Sequence, residues 1–209
     1  MKTLCNKFDK KDIAALPRVV FEGRIFVIQT EQEAQKAVSY LLAQPLLGFD
    51  TETRPSFRPG PMRAVALLQV ATQDTCFLFR LNRIGLPQAL VGLLSDRRIP
   101  KIALSWKDDT KQLQRLQRFE MGDFVELQSY VREFGIEDAS LQKLYANVFG
   151  QKISKGQQLS NWENDVLSEA QQRYAATDAW ACVRLYEELE RLKETKDWEL
   201  KKYEEPVSE

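Results

Sequence analysis

Leu46-Leu47-Gly48-Phe49-Asp50-Thr51-Glu52 is the stretch on which the reading of this chain turns. Residues 46–51 have the length and apolar run of a buried strand. Asp50 and Glu52 stand at i and i+2 near its end, so both carboxyls leave the same face. Before it, Thr30-Glu31-Gln32-Glu33 is a capping box that opens a helix reaching about Leu42. Earlier still, residues 21–29 alternate as a strand. After it, residues 54–63 are rich in Pro, Gly and Arg and read as a loop. Residues 64–71 and 76–79 are two further strands, joined by the turn Thr72-Gln73-Asp74-Thr75 into a hairpin. A short helix over 86–94 and a strand over 101–104 follow.

The second half reads as helical. Trp106, Asp109, Leu113 and Leu116 share one helical face. Residues 127–134 and 141–149 give two more helices, and 150–162 a polar loop carrying lysines. Ser168-x-x-Gln171 is a second capping box. It starts a long helix whose apolar stripe runs through Ala170, Tyr174, Asp178, Ala181, Leu185, Leu189 and Leu192. Residues 1–17 are charged and expected to be loosely held. Residues 18–193 form one domain, and the charged tail over 194–209 is expected to fray. Strands followed by helices, with an antiparallel pair beside further strands, give a mixed sheet with flanking helices, of the α/β (α+β) class.

Composition narrows the chemistry. The 209 residues suit one domain, 44% apolar content supports a core, and the formal charge is zero. There is no histidine, which removes Ser-His-Asp and Cys-His catalysis and any His-ligated zinc or haem. Cys5, Cys76 and Cys182 are far apart and form no C-x-x-C pair, which fits reduced thiols in a cytoplasmic protein. No signal-like apolar start is present. No apolar run approaches the roughly 20 residues that cross a bilayer.

Three elements each turn an acid inward. Asp50 and Glu52 share a strand face, Asp178 sits in the apolar stripe of the long helix, and Asp109 lies on the Trp106/Leu113/Leu116 face while Asp108 points to solvent. Each has an ordinary reading alone: surface acids at a strand end, or a buried acid paired with arginine. Together, with no basic residue on those faces, they point to acids converging on metal, since an unpaired buried charge is costly.

Asp50-x-Glu52, Asp109 within Lys101-Ile-Ala-Leu-Ser-Trp-Lys-Asp-Asp-Thr-Lys-Gln-Leu113, and Tyr174-x-x-x-Asp178 resemble the three motifs of the DEDDy 3′–5′ exonucleases, the group that includes ribonuclease D and the Werner helicase exonuclease domain. Leu159-Ser160-Asn161-Trp162 is similar to the family too, and the resemblance covers roughly residues 20–192. It implies a ribonuclease H-like sheet and a freestanding exonuclease domain. It also implies two divalent cations, with Asp50 bridging both, Glu52 and Asp178 completing one site and Asp109 holding the other. Oxygen ligands without His or Cys select Mg²⁺ or Mn²⁺. Two such ions about 4 Å apart can hold both oxygens of an in-line phosphoryl displacement. Tyr174 is either a core tyrosine or the group whose hydroxyl orients the attacking water.

The expected substrate is a single strand or a frayed 3′ end, DNA rather than RNA, with nucleoside 5′-monophosphates released. Arg54, Phe57, Arg58 and Arg63 in the loop after the acid-bearing strand are candidate substrate contacts, as are Lys152 and Lys155 in the later loop. Each competes with a reading as a solvated loop residue. Two alternatives share the acids: a noncatalytic nucleic-acid-binding or scaffold module, and a related metal nuclease that cuts internally.

Overall fold

A computed structural model describes residues 1–56 and 63–202 of the chain. In chain order these form β1 (Lys2–Cys5), α1 (Lys10–Ile13), β2 (Arg18–Val19), β3 (Arg24–Ile28), α2 (Glu31–Leu41) and β4 (Leu47–Thr53). The hairpin β5 (Val65–Ala71) and β6 (Thr75–Phe79) follows, then α3 (Leu81–Ile84), α4 (Gln88–Ser95), β7 (Lys101–Ala103), α5 (Trp106–Leu116) and β8 (Val125–Glu126). The remainder is α6 (Leu127–Tyr130), a 3-10 turn (Val131–Phe134), α7 (Leu141–Phe149), β9 (Lys152–Ile153), α8 (Glu169–Thr195) and β10 (Trp198–Lys201).

Among the described residues, six strands make the central sheet, in the order β3-β6-β5-β4-β7-β8. β5 runs antiparallel to both neighbours, and the other adjacent pairs are parallel. Helices cover both faces, so central strands lose the alternation of a half-exposed sheet; all seven residues of β5 are buried. One core lies between the sheet and α8, with Leu78, Ala175, Ala179 and Leu185 among its members. The other lies beneath α2, α4 and α5, around Val38, Phe49, Leu90 and Leu113.

β4 reaches α8 through Gly48. A Cβ built there would stand 2.1 Å from the Ala179 carbonyl oxygen. The missing side chain, together with Ala175, Ala176 and Ala179 on α8, lets helix and strand backbones approach. Gly48 is two residues before Asp50 and so on the same strand face. The close approach therefore falls beside the first acid.

The chain ends differ from expectation. Residues 1–17 and 194–209 are expected to be loose; residues 203–209 lie outside the described residues, and among the described ones β1 and β10 pair in parallel, Lys2 opposite Trp198 and Cys5 opposite Lys201. Alternation in Lys2–Cys5 turns Leu4 fully into the core. Cys5 exchanges two hydrogen bonds with the Asn147 side chain, and Trp198 packs on Phe134. The segment over 127–134 is two short pieces rather than one helix, stopped by Gly135 at φ +74°. The loop over 150–162 contains β9, which pairs with β2.

Candidate active site

Asp50 and Glu52 project from β4 toward α8, where Asp178 meets them. One carboxylate oxygen from each of the three lies within 4.8 Å of the others. α8 is fixed at its start by the Ser168 capping box, complete in both directions with Gln171. Its rotation is set further along, where the Thr177 hydroxyl donates to the Arg173 carbonyl and accepts from the Phe21 backbone N–H. With the helix so held, Tyr174 and Asp178 present themselves one turn apart on a single face.

Asp109 arrives from the other side of the sheet and is not part of that 4.8 Å set. Its carboxylate accepts the hydroxyl of Thr51, the β4 residue between Asp50 and Glu52. α5 is held in place by Glu126, whose two carboxylate oxygens accept the backbone N–H groups of Ser105 (2.9 Å) and Trp106 (2.8 Å). Trp106 itself is core: it stacks on Phe124 and meets Phe49 edge-on. Asp108 is exposed and pairs with Lys111.

Burial raises the pKa of Asp50, Glu52, Asp109 and Asp178. Asp50 is lifted well above the carboxylate range, first by desolvation and then by Asp178 and Asp109. Glu52 is raised by desolvation and by Asp50, Asp178 and Asp109. Asp178 is raised by burial, partly offset by hydrogen bonding to Tyr174 and by Lys155. Asp109 is pushed up to about 6 by desolvation against the opposing Thr51 hydrogen bond. The Tyr174 phenol is raised by burial and by Asp178 and Glu52. Like charges crowded in a low dielectric repel strongly. Such a set of oxygen donors, with no nitrogen or sulfur donor among the three, fits a hard divalent cation.

The carboxylates open on a cleft of about 370 Å³. Asp50, Glu52, Asp178 and Tyr174 line it together with Leu104, Ser105, Leu141 and Gln142. Lys155 and Gln158 also line it. Of the other candidate contacts, Lys152 is instead used by the fold, its ammonium donating to the Ala14 carbonyl. Arg54 and Arg63 are outside the cleft lining and share one carboxylate, that of Glu163, at 3.0 and 3.2 Å. Phe57 and Arg58 fall outside the described residues. Sequence reasoning passed over Gly48, Thr51 and Glu163. Gly48 had a usable signal, because an isolated glycine in a strand marks close backbone approach.

A sequence model of the 3′–5′ exonuclease family matches residues 25–194. The mouse bifunctional 3′–5′ exonuclease/ATP-dependent helicase WRN is 34% identical over 156 residues, covering 72% of this chain but 11% of that protein. An Arabidopsis thaliana 3′–5′ exonuclease is 29% identical over 192 residues, covering 84% of this chain and 67% of the relative. In fold, the chain resembles the Aedes aegypti Nibbler EXO domain, with TM-score 0.74, 23% identity and 85% and 92% of the two chains covered. It also resembles Escherichia coli RNase D, with TM-score 0.74, 18% identity and 82% and 46% covered. With these ribonuclease H-like exonuclease domains as neighbours and the family model spanning most of its length, the chain belongs to the 3′–5′ exonuclease domain family.

Proposed function

We propose that the cleft hydrolyses the terminal phosphodiester at the 3′ end of a nucleic acid strand, releasing nucleoside 5′-monophosphates. The carrying observation is the meeting of Asp50, Glu52 and Asp178 within 4.8 Å in a cleft that Tyr174 also lines. In this reading Asp50, Glu52, Asp178 and, across the sheet edge, Asp109 hold two divalent cations, Mg²⁺ or Mn²⁺. When bound, the ions acidify water and stabilise the charge that develops on the departing 3′ oxygen.

The protein's own groups do the positioning. Tyr174 keeps its proton, because burial and neighbouring acids raise its pKa. It therefore acts as a hydrogen-bonding group that orients the attacking water, not as the base. Lys155, the lysine beside Asp178 in the cleft, offers a cation to the substrate phosphate. The substrate is a single strand or a frayed end. DNA is favoured over RNA on the likeness of the stretch from Phe49 to Ser56, and of the 34% identical relative, to the Werner-type branch.

End-labelled single strands of DNA and RNA, incubated in parallel with Mg²⁺ or Mn²⁺, test this directly. A ladder shortening one nucleotide at a time from the 3′ end is expected. Internal fragments, or no products with either nucleic acid, would refute the reading. Tyr174→Phe is expected to slow the chemistry about a hundredfold while cation binding stays near wild type. Wild-type turnover in that variant removes Tyr174 from the mechanism.

A further inference from the structure

Behind the carboxylates the sheet carries a buried amide that the proposed chemistry leaves unused. Gln69 on β5 stands directly opposite Asp50 in the β4–β5 ladder. Directly opposed residues of an antiparallel pair project to the same face, with Cβ atoms about 5 Å apart. Gln69 is fully buried. Neither its Oε1 nor its Nε2 has a hydrogen-bond partner among the described residues.

Its surroundings offer little else. Across the other ladder it faces Leu78. Leu67 and Ala71, two residues away along β5 and on the same face, belong to the apolar core under α8. An amide left unpaired in such a place carries a desolvation cost that a leucine or methionine would not. The adjacent polar group on that face is the Asp50 carboxylate. One of its oxygens accepts the Thr51 backbone N–H at 2.8 Å, and a carboxylate has room for several more donors.

We infer that Gln69 is a positioning residue: its amide, unpaired without a cation, takes the Asp50 carboxylate as acceptor when a divalent cation binds, and fixes the orientation in which Asp50 holds that cation with Glu52 and Asp178. This rests on the cation-binding reading of the site. A ligand's outer hydrogen-bond partner sets its direction, and losing that partner lowers metal affinity about 10–100-fold.

Gln69→Met keeps the length and shape and deletes the amide. Mn²⁺ titration of the whole chain without nucleic acid, followed by electron paramagnetic resonance, should show affinity reduced at least about tenfold. The cation-free melting temperature should hold or rise. In an Asp50→Asn background the same substitution should change Mn²⁺ affinity little. Unaltered Mn²⁺ affinity in Gln69→Met overturns the inference.

If that variant does not fold, the wild-type protein supplies the test. The side-chain NH₂ resonances of Gln69 should move on Mg²⁺ addition and stop moving in Asp50→Asn, and resonances indifferent to Mg²⁺ overturn the inference. The two readings fail separately. A 3′ ladder with cation binding indifferent to Gln69 defeats only the role of Gln69. Gln69-dependent cation binding without a ladder defeats only the exonuclease reading.

Discussion

β4 turns Leu47, Phe49 and Thr51 toward α4 and α5, and Gly48, Asp50 and Glu52 toward α8. On the first face Phe49 packs against Trp106 and Phe124, three aromatic rings within 4.6 to 5.7 Å of one another. On the second, a missing side chain admits the helix, and three carboxyls crowd together with Lys155 near Asp178. Elsewhere the fold satisfies buried charge internally: Lys101 donates to the Asp96 carbonyl, and Arg80 to those of Asn164 and Asp165. The acids of β4 are treated differently, so the two faces should separate under mutation, one governing stability and the other activity.

Asp50→Asn is the sharpest way to break that contrast. It is close in shape and removes one charge from a repelling set. Loss of about a thousandfold or more in ladder formation is expected, matching several kcal/mol of lost charge stabilisation. The cation-free protein should melt at the same temperature or higher. Phe49→Ala, its neighbour, should do the reverse and cost about 3–5 kcal/mol in denaturant unfolding. If Asp50→Asn destabilises the cation-free chain as strongly as Phe49→Ala, the faces do not divide in this way.

Gly48→Ala tests whether the second face depends on close approach. The added methyl meets the Ala179 carbonyl oxygen at 2.1 Å, backbone against side chain. Something must move, at a cost of about 1–3 kcal/mol. If α8 moves, Asp178 leaves Asp50 and Glu52, so Mn²⁺ affinity should fall along with the melting temperature. Retained affinity would show that the sheet gives way instead.

pH sharpens the same distinction. Asp50, Glu52, Asp109 and Asp178 all hold protons more tightly folded than in an unfolded chain, where carboxyls titrate near 4. Above about pH 4 the native state therefore binds more protons than the unfolded one, and stability falls as pH rises. Asp109 carries this window to about 6, and the other three extend it upward. Cation-free stability should decline from weakly acidic to neutral pH, by about 1.4 kcal/mol per pH unit for each proton by which the two states differ, and the melting temperature should fall with it. Mg²⁺ should restore it, more strongly at the higher pH. A flat profile without cation would mean that the carboxyls are not in conflict.

Much of this was legible because its causes are local. Both capping boxes close as their residue spacing implies, and α7 occupies the span expected from its pattern. The inward acids were visible as charge placed where apolar side chains belong. What escaped depends on chain path. β1 and β10 pair across nearly the full length of the sequence, and no local period announces that. Lys152 and Lys155 are three residues apart, yet one caps a turn at Ala14 and the other enters the cleft. Composition could not separate them, because the route of the loop decides. Arg54 and Arg63 looked free for phosphate until Glu163, about a hundred residues away, proved to hold both.

Thr51 is the residue at which the two faces of β4 meet, and its substitution should produce the smallest of these effects. It points to the α5 side, yet its hydroxyl donates to the Asp109 carboxylate. That bond favours the charged form of Asp109 and opposes the burial that raises it to about 6. Thr51→Val keeps the shape and removes the donor. A hydrogen bond to a charged group contributes about 1.5–3 kcal/mol, so the Asp109 pKa should rise by roughly one unit. Packing is preserved, so the melting temperature should change little at acid pH, where Asp109 is protonated, and fall at neutral pH by the roughly 1 kcal/mol that one unit represents. The acid limb of the pH–rate profile should instead move upward by about the same unit, with activity reduced several-fold near pH 6 and recovered in mildly alkaline buffer. An unmoved acid limb would place Thr51 wholly with its packing neighbours. A shifted limb would make it the one group on the packed face that serves the chemistry on the other.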